Sequence, residues 1–167
     1  MSLRSERFDP ERHHVAGFSC GEPSLDAWLA EQAAPAEARR TARTWVWADQ
    51  DGVVKGYYAL AAHKVARHEV PSKVGRGGPV EIPAVLLARL ALSQSLRGQG
   101  LGPVLVADAM QRVVNATQTV AARLVVVDAL HERVAQFYEA LGFRRIPESL
   151  LLVQKVTDIE LSLRRSE

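Results

Sequence analysis

The stretch Ser93-Gln94-Ser95-Leu96-Arg97-Gly98-Gln99-Gly100-Leu101-Gly102-Pro103 carries three glycines in five residues, with a proline directly behind the last of them. It follows the almost unbroken apolar run Ala84–Leu92 and precedes residues 101–117, whose apolar side chains recur at helical spacing. The run has the length and character of a strand covered on both faces. Glycines let the backbone turn sharply and bring its amides close to a ligand. A helix N-terminus adds unpaired N–H groups and about half a positive charge. Pro103 suits a first helical turn, so the helix should start near Gly102. Strand, glycine turn and helix start together make an anion cradle suited to a phosphate or pyrophosphate.

Two phosphate-binding patterns do not fit. A P-loop needs Lys-Ser or Lys-Thr after its last glycine, and here Pro103-Val104 follows. A dinucleotide fingerprint needs G-x-G-x-x-G after an early strand, with an acid about 20 residues on. This chain has G-x-G-x-G after an internal strand, and no acid near that distance. For the loop taken alone, a glycine-rich turn without a ligand stays open, because a short glycine match is weak evidence.

Working outward, Leu124-Val125-Val126-Val127 reads as a β-branched strand, and the unit from 85 to 127 should cross over right-handed with its two strands parallel. Residues 131–141 read as a helix capped by Gly142. Leu150–Val156 reads as a further strand, and residues 157–163 either extend it or form a tail element. The spacing predicts that Leu101, Val104, Leu105, Ala109, Val113 and Ala116 share the buried side of the 101–117 helix. On the N-terminal side, residues 23–34 predict an amphipathic helix with Leu25, Trp28 and Leu29 on one face. Pro23 suits its first turn and Pro35 interrupts or ends it, with Ala36–Thr41 adding a turn or two. Thr44–Ala48 and Val53–Ala62 predict a hairpin about Asp51-Gly52. Residues 63–80 hold Lys64, Arg67, Lys73 and Arg76 against Glu69 alone, with glycines towards the end, and read as a basic loop. That loop is a solvated surface or a docking patch for a polyanion. The chain is α/β with a central mixed sheet. It reads as one domain, 1–167: N-terminal helix and hairpin 8–62, basic loop 63–80, core 84–143 and C-terminal strand or strands 150–163.

Composition agrees with this reading. The chain has 167 residues, 47% hydrophobic and 24% charged, with a net charge of +2. Those values exclude a disordered chain and an overall polycation. The lone Cys20 excludes a disulfide framework and a Cys-rich zinc site, and a packing role suits it. His13 and His14 are adjacent, and His63, His68 and His131 are scattered, so no metal site is expected. No apolar stretch reaches the roughly 18–20 residues of a membrane span, and residues 1–10 carry four charges and no apolar signal region. A cytoplasmic protein is the expectation.

Arg97-Gly98-Gln99-Gly100-Leu101-Gly102 resembles motif A of the GNAT acetyltransferases, R/Q-x-x-G-x-G/A. Ala135-Gln136-Phe137-Tyr138-Glu139-Ala140-Leu141-Gly142-Phe143 resembles their motif B, A-x-x-F-Y-x-x-x-G-F. The two stand in the right order, one helix and one strand apart. Phe18-x-Cys20-Gly21-x-x-x-Leu25-Asp26-x-Trp28-Leu29, Gly56–Leu60 and Pro83–Ala91 are similar to the GNAT toxins of bacterial toxin–antitoxin pairs, and the likeness runs from about Phe8 to Lys155. The resemblance implies the GNAT fold and acetyl-CoA as co-substrate, with Arg97, Gly98, Gln99, Gly100, Leu101 and Gly102 on its diphosphate. The backbone of Leu90, Ala91 and Leu92 would pair with pantetheine, and Tyr138 would protonate the departing thiolate. It further implies acetylation of the α-amine of aminoacyl-tRNA, a block of translation, a ribbon-helix-helix antitoxin as partner, and a homodimer.

A phenol, with a pKa of about 10, can donate to a thiolate as the carbon–sulfur bond breaks. The residues offer no convincing general base; Glu81 precedes Ile82-Pro83 with nothing to fix it. An α-amine has a pKa of about 7.7–8.0 and needs little help, whereas a lysine amine at about 10.4 needs more. The missing base therefore favours an α-amine acceptor over a lysine. A GNAT enzyme acting on a small amine or a protein N-terminus is the alternative, and a non-catalytic coenzyme-binding partner of an antitoxin is a third reading. Arg89, the one charge within 84–92, needs an ion-pair partner or faces the site. The cations available to RNA are Arg39, Arg40 and Arg43, the Lys64–Arg76 segment, Arg144–Arg145 and Arg164–Arg165.

Overall fold

The hairpin signal at Asp51-Gly52 joins two antiparallel strands, and the sheet grows from them. The computed structural model describes residues 4–166. Its strands are β1 (Glu6–Arg7), β2 (Arg43–Ala48), β3 (Val54–Ala66), β4 (Glu81–Leu92), β5 (Leu124–Asp128), β6 (Arg144–Arg145) and β7 (Leu151–Lys155). Its α-helices are α1 (Pro23–Ala27), α2 (Ala33–Arg39), α3 (Ser72–Gly75), α4 (Leu101–Ala116), α5 (Glu132–Ala140) and α6 (Val156–Arg165). The seven strands form one mixed sheet in the order β1-β2-β3-β4-β5-β7-β6. As the crossover rule requires, β4 and β5 are parallel, with Ala84 opposite Leu124 and Leu87 opposite Val127.

The chain folds as two compact units, the first made of residues up to Ala61 with Ala88–Ala109, the second of Ala62–Leu87 and the residues from Met110 onward. In the first unit, Phe8, Phe18, Cys20, Leu25, Leu29, Val46, Val54, Tyr57 and Ala91 form the core. In the second, Val65, Val70, Val74, Ile82, Ala84, Leu124, Val126 and Val153 do so. The second cluster draws mostly on strands β3, β4, β5 and β7, where β-branched side chains pack well on a pleated face, whereas the first sets Val46, Val54, Tyr57 and Ala91 of the strands against loop and helix side chains.

Several elements differ from the sequence reading. Pro35 does not end the first helix. A π-helical turn, Trp28–Gln32, joins α1 to α2, and the run ends only at Arg40, whose φ of 61° closes it in the left-handed region. A proline ring clashes with the carbonyl four residues back in a regular helix. The wider π turn just ahead of Pro35 relieves that crowding. Strand β3 runs on to Ala66, so Lys64 belongs to a strand rather than to a loop. Val65 is buried while His63 and Lys64 are exposed, and the charge run hid this end of the strand. The remainder of 63–80 contains a 3₁₀ turn, Arg67–Glu69, and α3. In α4 the buried stripe is Leu105, Val106, Ala109, Met110, Val113 and Val114, while Val104 and Ala116 are exposed. The stripe thus lies one residue around the helix from the one expected. Residues 156–165 are helical, so the C-terminal strand is confined to Leu151–Lys155. The two-residue strands β1 and β6 are too short to leave a periodic signal.

Candidate active site

The glycine loop starts where β4 ends. Ser93 N–H donates to the Lys55 carbonyl at 2.8 Å and Gln94 N–H to the Ser19 carbonyl at 2.9 Å, which pins the loop's first residues. The Ser93 hydroxyl accepts from Ser95 N–H and caps a single 3₁₀ turn, Gln94–Leu96. The chain then passes through Gly98 at φ 78° and Gly100 at φ 69° before α4 begins at Leu101. A Cβ at either glycine would meet nothing within 4 Å. Backbone conformation, not crowding, therefore calls for glycine here, and the face of the loop at these residues is open. The loop opens a sixteen-residue helix whose first N–H groups have no intrahelical acceptor. These are the parts of an anion site, and they fit a diphosphate. The Arg97 guanidinium donates to the Cys20 carbonyl and lies against Gly21, so it ties the loop to the segment before α1.

Strand β4 pairs with β5 over Ala84–Leu87 only, and continues for five residues to Leu92. Leu90, Ala91 and Leu92 thus lie past the end of the parallel ladder. Backbone groups there suit an added extended strand, the mode in which main-chain hydrogen bonds bind a peptide-like ligand.

In the second unit, Tyr138 is carried by α5 and is 4% exposed. Its ring packs edge-on against Phe137 and Phe143, with centroids 5.1 and 5.5 Å away. Gly142, at φ 98°, closes α5 as the glycine cap expected of it, and Phe143 N–H donates to the Tyr138 carbonyl. Burial pushes the Tyr138 phenol above its ordinary range, so it holds its proton throughout the neutral region. Such a group can give a proton and is a poor base.

The model of the acetyltransferase (GNAT) domain family matches residues 40–145, well over half of the chain. The chain belongs to the GNAT acetyltransferase family. A curated relative of this GNAT enzyme, the tRNA-acetylating toxin of Mycobacterium tuberculosis (strain ATCC 25618 / H37Rv), is 38% identical over 144 residues, covering 84% of this chain and 86% of the relative. Among solved structures, AtaT complexed with acetyl-methionyl-tRNAfMet matches with a TM-score of 0.86 at 30% identity, over 95% of this chain and 97% of that one. A tyrosine-to-phenylalanine variant of AtaT, bound to the C-terminus of the antitoxin AtaR and to acetyl-CoA, matches with a TM-score of 0.80 at 29% identity, over 95% and 96%.

The charged candidates of this GNAT enzyme divide sharply. Arg89 forms no ion pair among the described residues. Its Nη1 donates to the Ala88 carbonyl at 2.7 Å, and its guanidinium carbon lies 5.4 Å from the Trp28 ring centroid. Trp28 in turn stacks on Tyr57 at an interplanar angle of 2°. A cation–π contact thus gives the charge a partner in place of the ion pair that the sequence reading offered. Lys64 pairs with Glu81 at 3.3 Å, which gives both residues a partner on the surface. Arg43 and Arg7 both pair with Glu37, whose other oxygen accepts from Thr44 N–H. Arg145 reaches Glu132 at 2.5 Å and Glu139 at 2.7 Å on α5, and Arg164 pairs with Glu160. Arg39 and Arg40 are exposed at the end of α2, and Lys73 and Arg76 are exposed around α3.

Cys20 is buried, and burial pushes its thiol up to about 11, which makes it a packing residue. His13 is likewise structural: Asp9 N–H donates to its Nδ1 and its Nε2 lies 2.7 Å from Glu6. Sequence reasoning missed Glu37 and Asp108. The signal for Asp108 was present, since it is a lone acid within the apolar opening of α4.

Proposed function

We propose that this GNAT enzyme transfers the acetyl group of acetyl-CoA to the α-amine of aminoacyl-tRNA and acts as a toxin that blocks translation. The 38% identity to a tRNA-acetylating toxin, spread over 84% of the chain, carries the reading. The likeness to AtaT, solved with acetyl-methionyl-tRNAfMet, supports it. Backbone N–H groups from Gly98 to Gly102 hold the diphosphate, and the main chain of Leu90, Ala91 and Leu92 aligns the pantetheine arm. The co-substrate supplies an activated thioester. The neutral amine nitrogen attacks the acetyl carbon, and the carbon–sulfur bond breaks as the Tyr138 hydroxyl donates its proton to sulfur. The proton lost by the nitrogen passes to water. An α-amine beside an ester is neutral to a useful degree near pH 7, so the step asks the protein for an acid and no strong base.

As AtaR is bound to AtaT, an antitoxin binds this enzyme, and the binding is proposed to restrain it; a ribbon-helix-helix protein is the class proposed, and the enzyme acts as a cytoplasmic homodimer. The test is incubation with acetyl-CoA and charged tRNA, followed by mass analysis of the released aminoacyl group. N-acetylated amino acid is the expected product. Acetylation of free amines or peptide N-termini with charged tRNA untouched would replace this reading with the small-amine alternative.

A further inference from the structure

Asp108 sits two turns inside α4, within the stretch that opens from the glycine loop. Its Oδ1 accepts from the Ser5 hydroxyl at 2.7 Å and from the Tyr58 hydroxyl at 2.9 Å, and its Oδ2 accepts from the Trp47 indole N–H at 3.2 Å. Trp47 and Tyr58 are fully buried, at 0% exposure each, on β2 and β3, and Ser5 directly precedes β1. A partly buried carboxylate on one helix thus gathers donors from three segments of the sheet's first half. A hydroxyl or indole donor to a charged acceptor forms a stronger bond than a neutral pair, and its geometry is directional. Dispersion alone lets a helix slide along a sheet; three bonds to one carboxylate fix both its height and its rotation.

We propose that Asp108 is a positioning residue for acetyl-CoA: its three bonds hold the first turns of α4 where their N–H groups meet the diphosphate. The inference rests on the GNAT assignment, and it names a residue in neither motif. Asp108 touches no reacting atom. It acts through the helix, since a shift of about 1 Å in a binding group is enough to cost orders of magnitude. Trp47, Tyr58 and Ser5 belong to the same device.

Coenzyme A binding by calorimetry tests this on the whole protein, with the melting temperature measured for every variant. Asp108→Asn should weaken coenzyme A about tenfold, and Tyr58→Phe and Trp47→Phe by smaller factors. Tyr58→Phe added to Asp108→Asn should weaken binding no further, because the two report one interaction. Leu152→Ala, which removes a fully buried side chain from β7, serves as the stability control. It should lower the melting temperature at least as much and leave affinity unchanged at a temperature where the variant is folded. Unchanged affinity in folded Asp108→Asn, or equal weakening by Leu152→Ala, overturns the proposal. If Asp108→Asn does not fold, Tyr58→Phe decides by the same criterion. Failure of the unaltered protein to bind coenzyme A would instead overturn the cofactor reading itself.

Discussion

At Tyr138 the chemistry and the packing can be separated. Its ring is held by Phe137 and Phe143, and its hydroxyl is what the proposed reaction needs. Tyr138→Phe keeps the ring and removes the proton. We expect kcat to fall about 10²-fold or more, with the melting temperature and coenzyme A affinity close to those of the parent. A fall in affinity comparable to the fall in kcat would give Tyr138 a binding role instead. The pH profile carries the same information: activity should rise as the acceptor amine deprotonates, with no downturn from Tyr138 below about pH 10, because burial raises the phenol. Cys20 gives a second test at this scale. Its thiol is neutral well past pH 9 and shielded by the core, so an aromatic disulfide reagent at pH 8 should titrate it slowly in the folded protein and at once in denaturant. The folded thiol is raised above its ordinary value of 9.0, so this burial favours the fold below that pH and the contribution fades as pH climbs through about 11.

At the scale of elements, the glycine loop and the Glu37 hub make distinct predictions. Gly98 and Gly100 sit at positive φ with open space around them. Alanine there meets no atom but strains the backbone by about 1–2 kcal/mol. Gly100→Ala should therefore weaken coenzyme A, read by calorimetry, while the melting temperature drops by only a few degrees. Glu37 joins α2 to β1 and β2 through Arg7, Arg43 and Thr44 N–H. Burial alone would raise its carboxyl, but those three donors together hold it below the usual 4.5. A lowered carboxylate stabilises the fold above about pH 4.5, and that stabilisation is lost as pH falls through the lowered value. Glu37→Gln should cost about 1–2 kcal/mol at pH 7 by urea titration, a cost that shrinks as pH is taken below 4.5.

These elements also mark what the sequence could show. The strand–loop–helix unit and both motifs were legible, because glycine, proline and helical periodicity act locally. The course of α2 was not, because a π turn ahead of Pro35 has no residue signature. Lys64 in strand β3 was hidden by the charges around it. Glu37 reaches Arg7 30 positions away, and Asp108 depends on partners 50 to 103 positions away, which no spacing reveals.

On the scale of the whole molecule, the proposed function asks a net charge of +2 to serve a polyanion. What matters is which cations keep their field. Arg7, Arg43, Lys64, Arg145 and Arg164 face carboxylates at 2.5–3.3 Å, and paired surface charges add little to the far field. Arg39 and Arg40 end α2, Lys73 lies within α3 and Arg76 directly follows it, with no carboxylate against them among the described residues. Each pair lies within one compact unit, so each can be tested without disturbing the other. Arg39→Ala with Arg40→Ala, and separately Lys73→Ala with Arg76→Ala, should raise KM for charged tRNA several-fold. The KM for acetyl-CoA should be unchanged. Lys64→Ala, which removes a cation already paired with Glu81, should leave both constants alone. The losses should shrink as salt rises from 50 to 200 mM, because each phosphate contact removed lowers the salt slope by about one. A salt-independent loss, or an equal effect of Lys64→Ala, would mean that these cations act on the fold rather than on RNA.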